Sequence, residues 1–325
     1  MATYKGIQGT SVQSLASDPT ASEAEGQLWY NSASNVWKIS VAGAAAWASA
    51  TSVPASLAGS MYCGTQTAGL LSGGTPGSVV SAFTYDGSSW TAVNDMGTGR
   101  SNNNCAGCGT QTAGMVIGGE TASGPTYKTP NTEWYNGTSW TEKADLANER
   151  YASVAAGDQT AALCIQGAYP AGTTLVESWD GSAWSTGTAA PEAKWSLMGG
   201  GTQTSAITCG GQAAPPTTFT SADEWNGTSW TELAVLNQSR SYGGSAAPSG
   251  TSALVFGGSI PPRSAVTEQW NGTAWTEVAD LATPCAKNTG NGTTGAALSI
   301  GNENPNNGAV EDWNIPNAIK TFTAS

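Results

Sequence analysis

The 325-residue chain has no histidine, only 11 basic residues and only 10% charged residues in total. Without His there is no side chain whose ordinary pKa lies near neutrality. The most common metal ligand is missing too, and a Ser-His-Asp triad cannot be built. The 11 basic residues face 23 acidic ones, a formal net charge of −12. Nucleic-acid binding needs a basic stripe that displaces counterions, and that balance argues against it. No apolar run approaches the length of a membrane-spanning helix, and the N-terminus, MATYKGIQGTSVQSL, has no apolar core of a signal peptide. No phosphate-binding loop, nucleophile elbow or dinucleotide fingerprint is present. Paired carboxylates could do glycosidase work without His. The candidates Glu133, Glu177, Asp223, Glu224, Glu268, Glu311 and Asp312, however, recur at one repeat position, which suggests a solvated strand edge. No catalytic residue, metal or cofactor is expected.

What the chain has in quantity is glycine, 42 residues, and tryptophan, 14, and both recur in a pattern. Gly-Thr-Gln or a close variant starts at Gly64, Gly109, Gly157, Gly201, Gly250 and Gly292. A period of roughly 45 residues suits four short strands and their turns. After each motif comes an apolar run bounded by Gly: GLLSGG, GMVIGG, ALCIQG, AITCGG, ALVFGG and ALSIGN. Such runs read as strands buried on both faces. A variable loop follows, then a strand ending in an aromatic, then Asn-Gly or Asp-Gly, then Trp, as in DEWNGTSW. That dipeptide favours the type I′ turn of a two-residue hairpin. The recurring aromatics Trp90, Trp134, Trp140, Trp179, Trp184, Trp225, Trp230, Trp270, Trp275 and Trp313, with Tyr85, are expected to pack between successive units. The sixth unit keeps Trp313, but Ile315-Pro316 replaces the turn glycine and Ile319 stands at the second Trp position. The six cysteines, Cys63, Cys105, Cys108, Cys164, Cys209 and Cys285, read as small buried residues.

The diglycine strand, the aromatic strand and the later Trp, at this period, resemble Kelch repeats. The "GTQTA" and "W-N-G-T-S-W-T-E" variants are similar to Kelch-like proteins of marine bacteriophages, cyanophages in particular. The resemblance covers residues 47–325. It implies an all-β fold, a six-bladed Kelch-like β-propeller with a short N-terminal extension, seven blades being the competing count. Trp47 aligns with the Trp of a fourth strand, so either the segment near 47–52 or residues 317–324 could close the ring. Galactose oxidase shares the Kelch propeller, but its copper ligands include His, which this chain lacks. Residues 1–46, with GQLWYNSASNVWKIS, are similar to N-terminal segments of phage tail-associated proteins that attach them to the virion.

The resemblance implies a non-enzymatic virion structural protein: a tail fibre, an appendage or a capsid decoration. It would be assembled in the host cytoplasm without a signal peptide. The 1–46 arm would bind other virion proteins, the chain would form a homo-oligomer in the particle, and the propeller would contact a host surface glycan or protein. No nucleic acid and no membrane insertion is implied. A bacterial carbohydrate- or protein-binding propeller is the alternative, and a polysaccharide-degrading enzyme a more distant one. Two residue sets are binding candidates. Arg100, Arg150, Lys194 and Arg240, with Lys287, precede the repeat motif and would converge on one mouth of the channel as an anion site, unless each caps carbonyls or pairs with a carboxylate. Tyr127, Tyr169, Phe219 and Arg263 lie in the variable loops, where repeat folds place their binding face.

Overall fold

The computed structural model describes residues 13–19, 27–100, 106–121, 128–168, 171–213, 217–259, 262–303 and 306–322. Among these residues there are only strands, turns and bends, arranged in seven four-stranded sheets. The chain forms two compact units: residues 47–314, and residues 1–46 together with 315–325. The C-terminal residues from Ile315 belong with the N-terminal segment rather than with the repeats.

In the smaller unit, β1 (Gln13–Leu15) pairs parallel with β2 (Leu28–Asn31), which pairs antiparallel with β3 (Val36–Ala42). In the larger unit the chain runs through β4 (Ala46–Ala50) and then β5 (Met61–Thr65), β6 (Ala68–Ser72), β7 (Ala82–Tyr85) and β8 (Trp90–Val93), the first sheet. The second is β9 (Ala106–Thr110), β10 (Ala113–Ile117), β11 (Thr132–Tyr135) and β12 (Trp140–Lys143). The third is β13 (Val154–Gly157), β14 (Ala162–Ile165), β15 (Val176–Trp179) and β16 (Trp184–Thr186). The fourth is β17 (Met198–Thr202), β18 (Ser205–Cys209), β19 (Ala222–Trp225) and β20 (Trp230–Glu232). The fifth is β21 (Gly244–Ser249), β22 (Ser252–Phe256), β23 (Thr267–Trp270) and β24 (Trp275–Glu277). The sixth has β25 (Thr289–Gly292), β26 (Ala296–Glu303) and β27 (Asn306–Asn314), completed by β4. β28 (Asn317–Phe322) pairs with β3 in the smaller unit. Of the two segments that could close the ring, 46–50 does so and 317–322 does not.

The first strands lie against one another in sequence, β5 to β9, β13, β17, β21 and β25, and β25 returns to β5. This closed circle of radially arranged sheets is a propeller. The apolar runs become the second strands, whose side chains are almost all buried. In the first five sheets the third strand is buried except at its third position, and an aromatic at its last position lies directly opposite the first residue of the fourth: Tyr85 opposite Trp90, Trp179 opposite Trp184, Trp225 opposite Trp230, Trp270 opposite Trp275. In the second sheet that partner is Tyr135, opposite Trp140. Trp134, expected there, points to the other face, where it meets Trp179 of the next sheet at 5.8 Å. In the sixth sheet the pair is Trp313 and Trp47, ring centroids 5.4 Å apart, so the chain's beginning supplies what its end lacks.

Two further devices join neighbouring sheets. The Gln of the repeat motif sits in the turn between first and second strands and donates its amide to two carbonyls of the preceding sheet. Gln111 reaches Gly69 and Tyr85, Gln159 reaches Gly114 and Tyr135, and Gln203 reaches Ala162 and Trp179. Gln66 reaches Ala297 and Trp313, and so ties the first sheet to the sixth. In addition, one apolar cluster holds Leu298, Ile300 and Val310 of the sixth sheet with Tyr62, Leu71 and Phe83 of the first.

The hairpin expected at each Asn-Gly or Asp-Gly differs from the sequence reading. Tyr85 and Trp90 pair across a four-residue loop, not a two-residue one. The Asp86 carboxylate accepts the backbone N–H of Ser88 and Ser89, and Asn136, Asp180, Asn226 and Asn271 do the same. Positive φ is confined to the glycine. The dipeptide is selected for its side-chain acceptor as much as for its backbone.

Candidate functional site

The sequence-predicted cations are not open to a ligand. Arg100, Arg150, Lys194 and Arg240 are fully buried. Arg100 pairs with Glu133 at 2.6 Å, Arg150 with Glu177, Lys194 with Asp223 at 3.2 Å and Arg240 with Glu268 at 2.7 Å. The four carboxylates are buried too, rather than lying on a solvated edge as the sequence suggests. Each cation sits in the connection between two sheets. Its carbonyl accepts an N–H from the sheet just left (Gly74 for Arg100, Gly211 for Arg240), while its side chain bonds the sheet about to begin. Arg100 thus donates to the Gly118 and Asn131 carbonyls, and Arg240 to those of Gly257 and Val266. These residues are inter-sheet pins. Burial raises the Asp223 pKa despite Lys194, and lowers that of Arg240 despite Glu268.

The pin changes character at two junctions. Cys285 occupies the cation's position before the sixth sheet, its carbonyl accepting from Gly258. There Glu311 accepts only the N–H groups of Ala282 and Thr283 among the bonds described. Lys287, grouped with the cations from sequence, lies two residues further on. Before the first sheet the pair becomes Leu57 and Phe83, both in one apolar cluster. Burial pushes the Cys285 thiol up to about 12. The other described cysteines, Cys63, Cys108, Cys164 and Cys209, are also buried free thiols.

The residues just after the pins form the stronger candidate. Ala152, Ser196, Tyr242 and Lys287 share one repeat position, and all four adopt the left-handed conformation with φ between 54° and 57°. Gly59 holds the same position at φ 64°. Backbone hydrogen bonds link them in a belt: Ser196 N–H to Ala152, Tyr242 to Ser196, Lys287 to Tyr242, and Gly59 to Lys287, at 2.7–3.0 Å. A non-glycine residue in this region costs about 1–3 kcal/mol, and such positions concentrate at functional sites. Here the belt holds the strain, and the side chains above it form the rim of the channel.

On that rim three half-buried aromatics run in succession. Tyr151 and Trp195 meet edge-on at 5.9 Å, and Trp195 and Tyr242 do so at 5.9 Å. The Lys128 ammonium lies 5.7 Å from the Tyr151 ring and that of Lys287 5.7 Å from the Tyr242 ring. Lys287 also pairs with Glu303 at 2.7 Å. Gln212 donates to the Tyr242 hydroxyl at 3.0 Å, and Trp195 donates to the Ala213 carbonyl at 2.9 Å. The Glu120 carboxyl has one buried oxygen without a hydrogen-bond partner. Burial raises its pKa, and Lys287 and Lys128 oppose that rise. Burial likewise raises the Tyr151 and Tyr242 hydroxyls. Apolar ring surface flanked by donors and acceptors suits a ligand with both kinds of face.

Of the loop candidates, Arg263 is partly exposed and lies 4.0 Å from Glu303, at the edge of this cluster. Phe219 is half-buried with its ring 5.5 Å from the Lys194 ammonium, where it covers a pin. Tyr127 and Tyr169 lie outside the described residues. The sequence reading singled out the cations and missed Tyr151 and Trp195, each one residue further on, and Tyr242, two residues after Arg240. The available signal was aromatic residues beside the repeated cation. Below the rim the channel holds cavities of about 60 and 310 Å³, whose described lining is mostly glycine and small side chains with Tyr62, Val154, Leu197 and Pro248, and includes no charged group.

No protein-family model matches the sequence, and no curated protein matches it either. Among solved structures the fold is similar to that of YjhT, with a TM-score of 0.68. Identity is 14%, over 83% of this chain and 99% of that one. At that identity the likeness concerns the fold alone.

Proposed function

We propose that this chain is a non-enzymatic phage virion protein: a six-bladed Kelch-like propeller, displayed on the particle by its smaller unit, that binds a host-surface glycan at the rim of its channel. One observation carries the binding reading. Tyr151, Trp195 and Tyr242 stand in sequence over a strained backbone belt, with Lys128, Lys287, Glu120, Glu303 and Gln212 around them. The apolar face of a sugar ring would lie against an aromatic, and its hydroxyls would meet the charged and amide groups. The placement on a phage particle rests on the marine-phage resemblance of the repeats and of the 1–46 segment. Six blades of Kelch type are supported by the six radial sheets and their diglycine strands.

The test is retention of the isolated chain on a bacterial surface-glycan array. Trp195→Ala is expected to reduce retention at least tenfold, and Thr231→Ala, on the exposed outermost strand β20, to leave it unchanged. Equal retention by wild type and Trp195→Ala would reject the rim as the site. Mass spectrometry of purified particles tests the placement separately, since consistent absence of this chain from virions would reject it whatever the array shows.

A further inference from the structure

Asn-Gly occurs five times in the sequence, at 136–137, 226–227, 271–272, 291–292 and 307–308. The dipeptide is open to ring closure, because glycine has no side chain to shield its nitrogen or restrict its backbone. The glycine nitrogen adds to the asparagine Cγ and gives its proton to solvent. The Cγ–Nδ2 bond breaks, ammonia leaves, and a five-membered succinimide results. Water then opens the ring. If the new N–Cγ bond breaks, the product is aspartate in an unchanged backbone. If the bond from nitrogen to the main-chain carbonyl carbon breaks instead, the product is isoaspartate, and the backbone is one carbon longer.

The fold divides the five pairs. Asn136, Asn226 and Asn271 lie with their glycines in exposed loops. A Cβ on Gly137 would meet nothing nearer than Thr112 at 3.5 Å, and one on Gly272 nothing nearer than Thr251 at 3.4 Å, so the peptide has room to turn. Each asparagine Oδ1 accepts the N–H groups two and three residues on, at 2.8–2.9 Å. These donors polarise the carbonyl and face the oxygen on which charge develops as the ring closes. The other two pairs are held. Asn291 and Gly292 lie in β25, opposite Leu298 and Ala297, and Gly292 is buried with its N–H donating to Asn291 Oδ1 at 2.7 Å. Asn307 and Gly308 lie in β27. Gly308 is buried, its carbonyl accepts the Val53 N–H at 2.8 Å, and a Cβ there would strike the Val53 and Ala55 carbonyls at 2.5 Å. Neither strand peptide can bring its nitrogen onto Cγ without undoing these contacts.

We propose that Asn136, Asn226 and Asn271 are modification sites, converted to aspartate without an enzyme, and that the hairpin selects aspartate over isoaspartate. The first and third sheets already carry the product. Asp86 and Asp180 occupy the same loop position, and each carboxylate accepts the same two N–H groups. Those bonds favour the ionised form and hold both groups below the usual aspartate range. An isoaspartate would shift the carboxylate and lengthen the four-residue loop, so it would lose that cap. Isoaspartate can also close to the ring again, and repeated opening drains it toward the form that the loop holds. Each conversion adds one negative charge to the formal −12.

The full chain is incubated in mildly alkaline buffer made with water labelled by heavy oxygen, so that conversion during incubation is marked and conversion during digestion is not. Chymotryptic peptides are then read by mass spectrometry, with fragmentation that separates aspartate from isoaspartate. A misplaced attacking atom costs on the order of a hundredfold in rate, so positions 136, 226 and 271 are expected to take the label at least about tenfold faster than 291 and 307. In urea, where the strands are gone, all five should label at similar rates, and the share of aspartate at the three loop positions should fall. The variant Asn136→Asp/Asn226→Asp/Asn271→Asp should melt within about two degrees of wild type at neutral pH. Equal labelling of all five positions in the folded chain overturns the proposal. So do loops that label only in urea, isoaspartate as the main product in the folded loops, or a triple variant that melts far lower.

Discussion

The Arg240–Glu268 pin gives a quantitative test of how neighbouring sheets are held. Arg240→Leu removes a fully buried guanidinium that donates to Glu268 at 2.7 Å and to the carbonyls of Val266 at 2.6 Å and Gly257 at 3.2 Å. Glu268 is then a buried carboxylate without a counter-charge, held only by Asn237 and the Gln238 N–H. Removing one partner of a buried pair costs about 3–5 kcal/mol. Glu268→Leu strands the guanidinium and should cost a similar amount. The double variant removes both charges together, and the protein already contains that solution, because Leu57 and Phe83 fill the corresponding positions before the first sheet. The lowered pKa of Arg240 points the same way, since desolvation outweighs the help from Glu268. The double variant is therefore expected to cost no more than either single one, a coupling of about 3 kcal/mol or more. Urea unfolding followed by both tryptophan fluorescence and far-ultraviolet circular dichroism measures all three, with coincident transitions as the check. Single substitutions costing under about 1 kcal/mol, or a double variant equal to the sum of the singles, would refute the pin.

Gln66→Ala removes two bonds that tie the first sheet to the sixth and should cost about 1–3 kcal/mol. Hydrogen exchange should then rise first in 296–314, whereas Gln111→Ala should loosen 68–85, and identical patterns would argue against local ties. Trp47→Ala takes away the ring facing Trp313 and Phe256 and the donor to the Thr267 hydroxyl, at a cost of about 3–5 kcal/mol; a thermal midpoint within a degree or so of wild type would contradict its closing role. Hydrogen bonds to the ionised carboxylate hold Asp86, Asp158 and Asp180 below the usual aspartate range. Their stabilisation is present above the unfolded pKa near 4 and is lost as pH falls through the depressed folded values. Asp86→Asn/Asp180→Asn, which copies the neutral caps at Asn136, Asn226 and Asn271, should flatten the acid decline of the melting temperature, and an unchanged decline would count against this.

The repeat made much of the fold legible. Five Gly-Thr motifs and the variant Gly157-Asp-Gln marked the turns between first and second strands, and the apolar runs after them became the buried second strands. Register was less accessible. In TEWY the aromatic at the strand's last position is Tyr135, but Trp134 matches the consensus by type, and one residue separates the two faces of a strand. The cations were conspicuous because they are rare, yet their partners, Glu133, Glu177, Asp223 and Glu268, looked solvated because carboxylates usually are. Nothing local in the sequence says that each carboxylate meets a cation about 30 residues earlier. The rim was hidden for a related reason. Tyr151, Trp195 and Tyr242 stand at unequal offsets from their cations and come together only when the first strands form a circle. The closing strand was narrowed to two segments, and the aromatic pairing of Trp47 with Trp313 decided between them.

That pairing also sets an order of events during synthesis. Trp47 leaves the ribosome long before Trp313, and at about 5–20 residues per second the interval is on the order of ten seconds to a minute. Throughout it, the strand Ala46–Ala50 has no partner to its edge, and each completed sheet waits with one flank bare. The protein therefore has a long window in which a neighbouring nascent chain could offer its own last strands to the waiting segment, and the two would exchange pieces instead of closing separately.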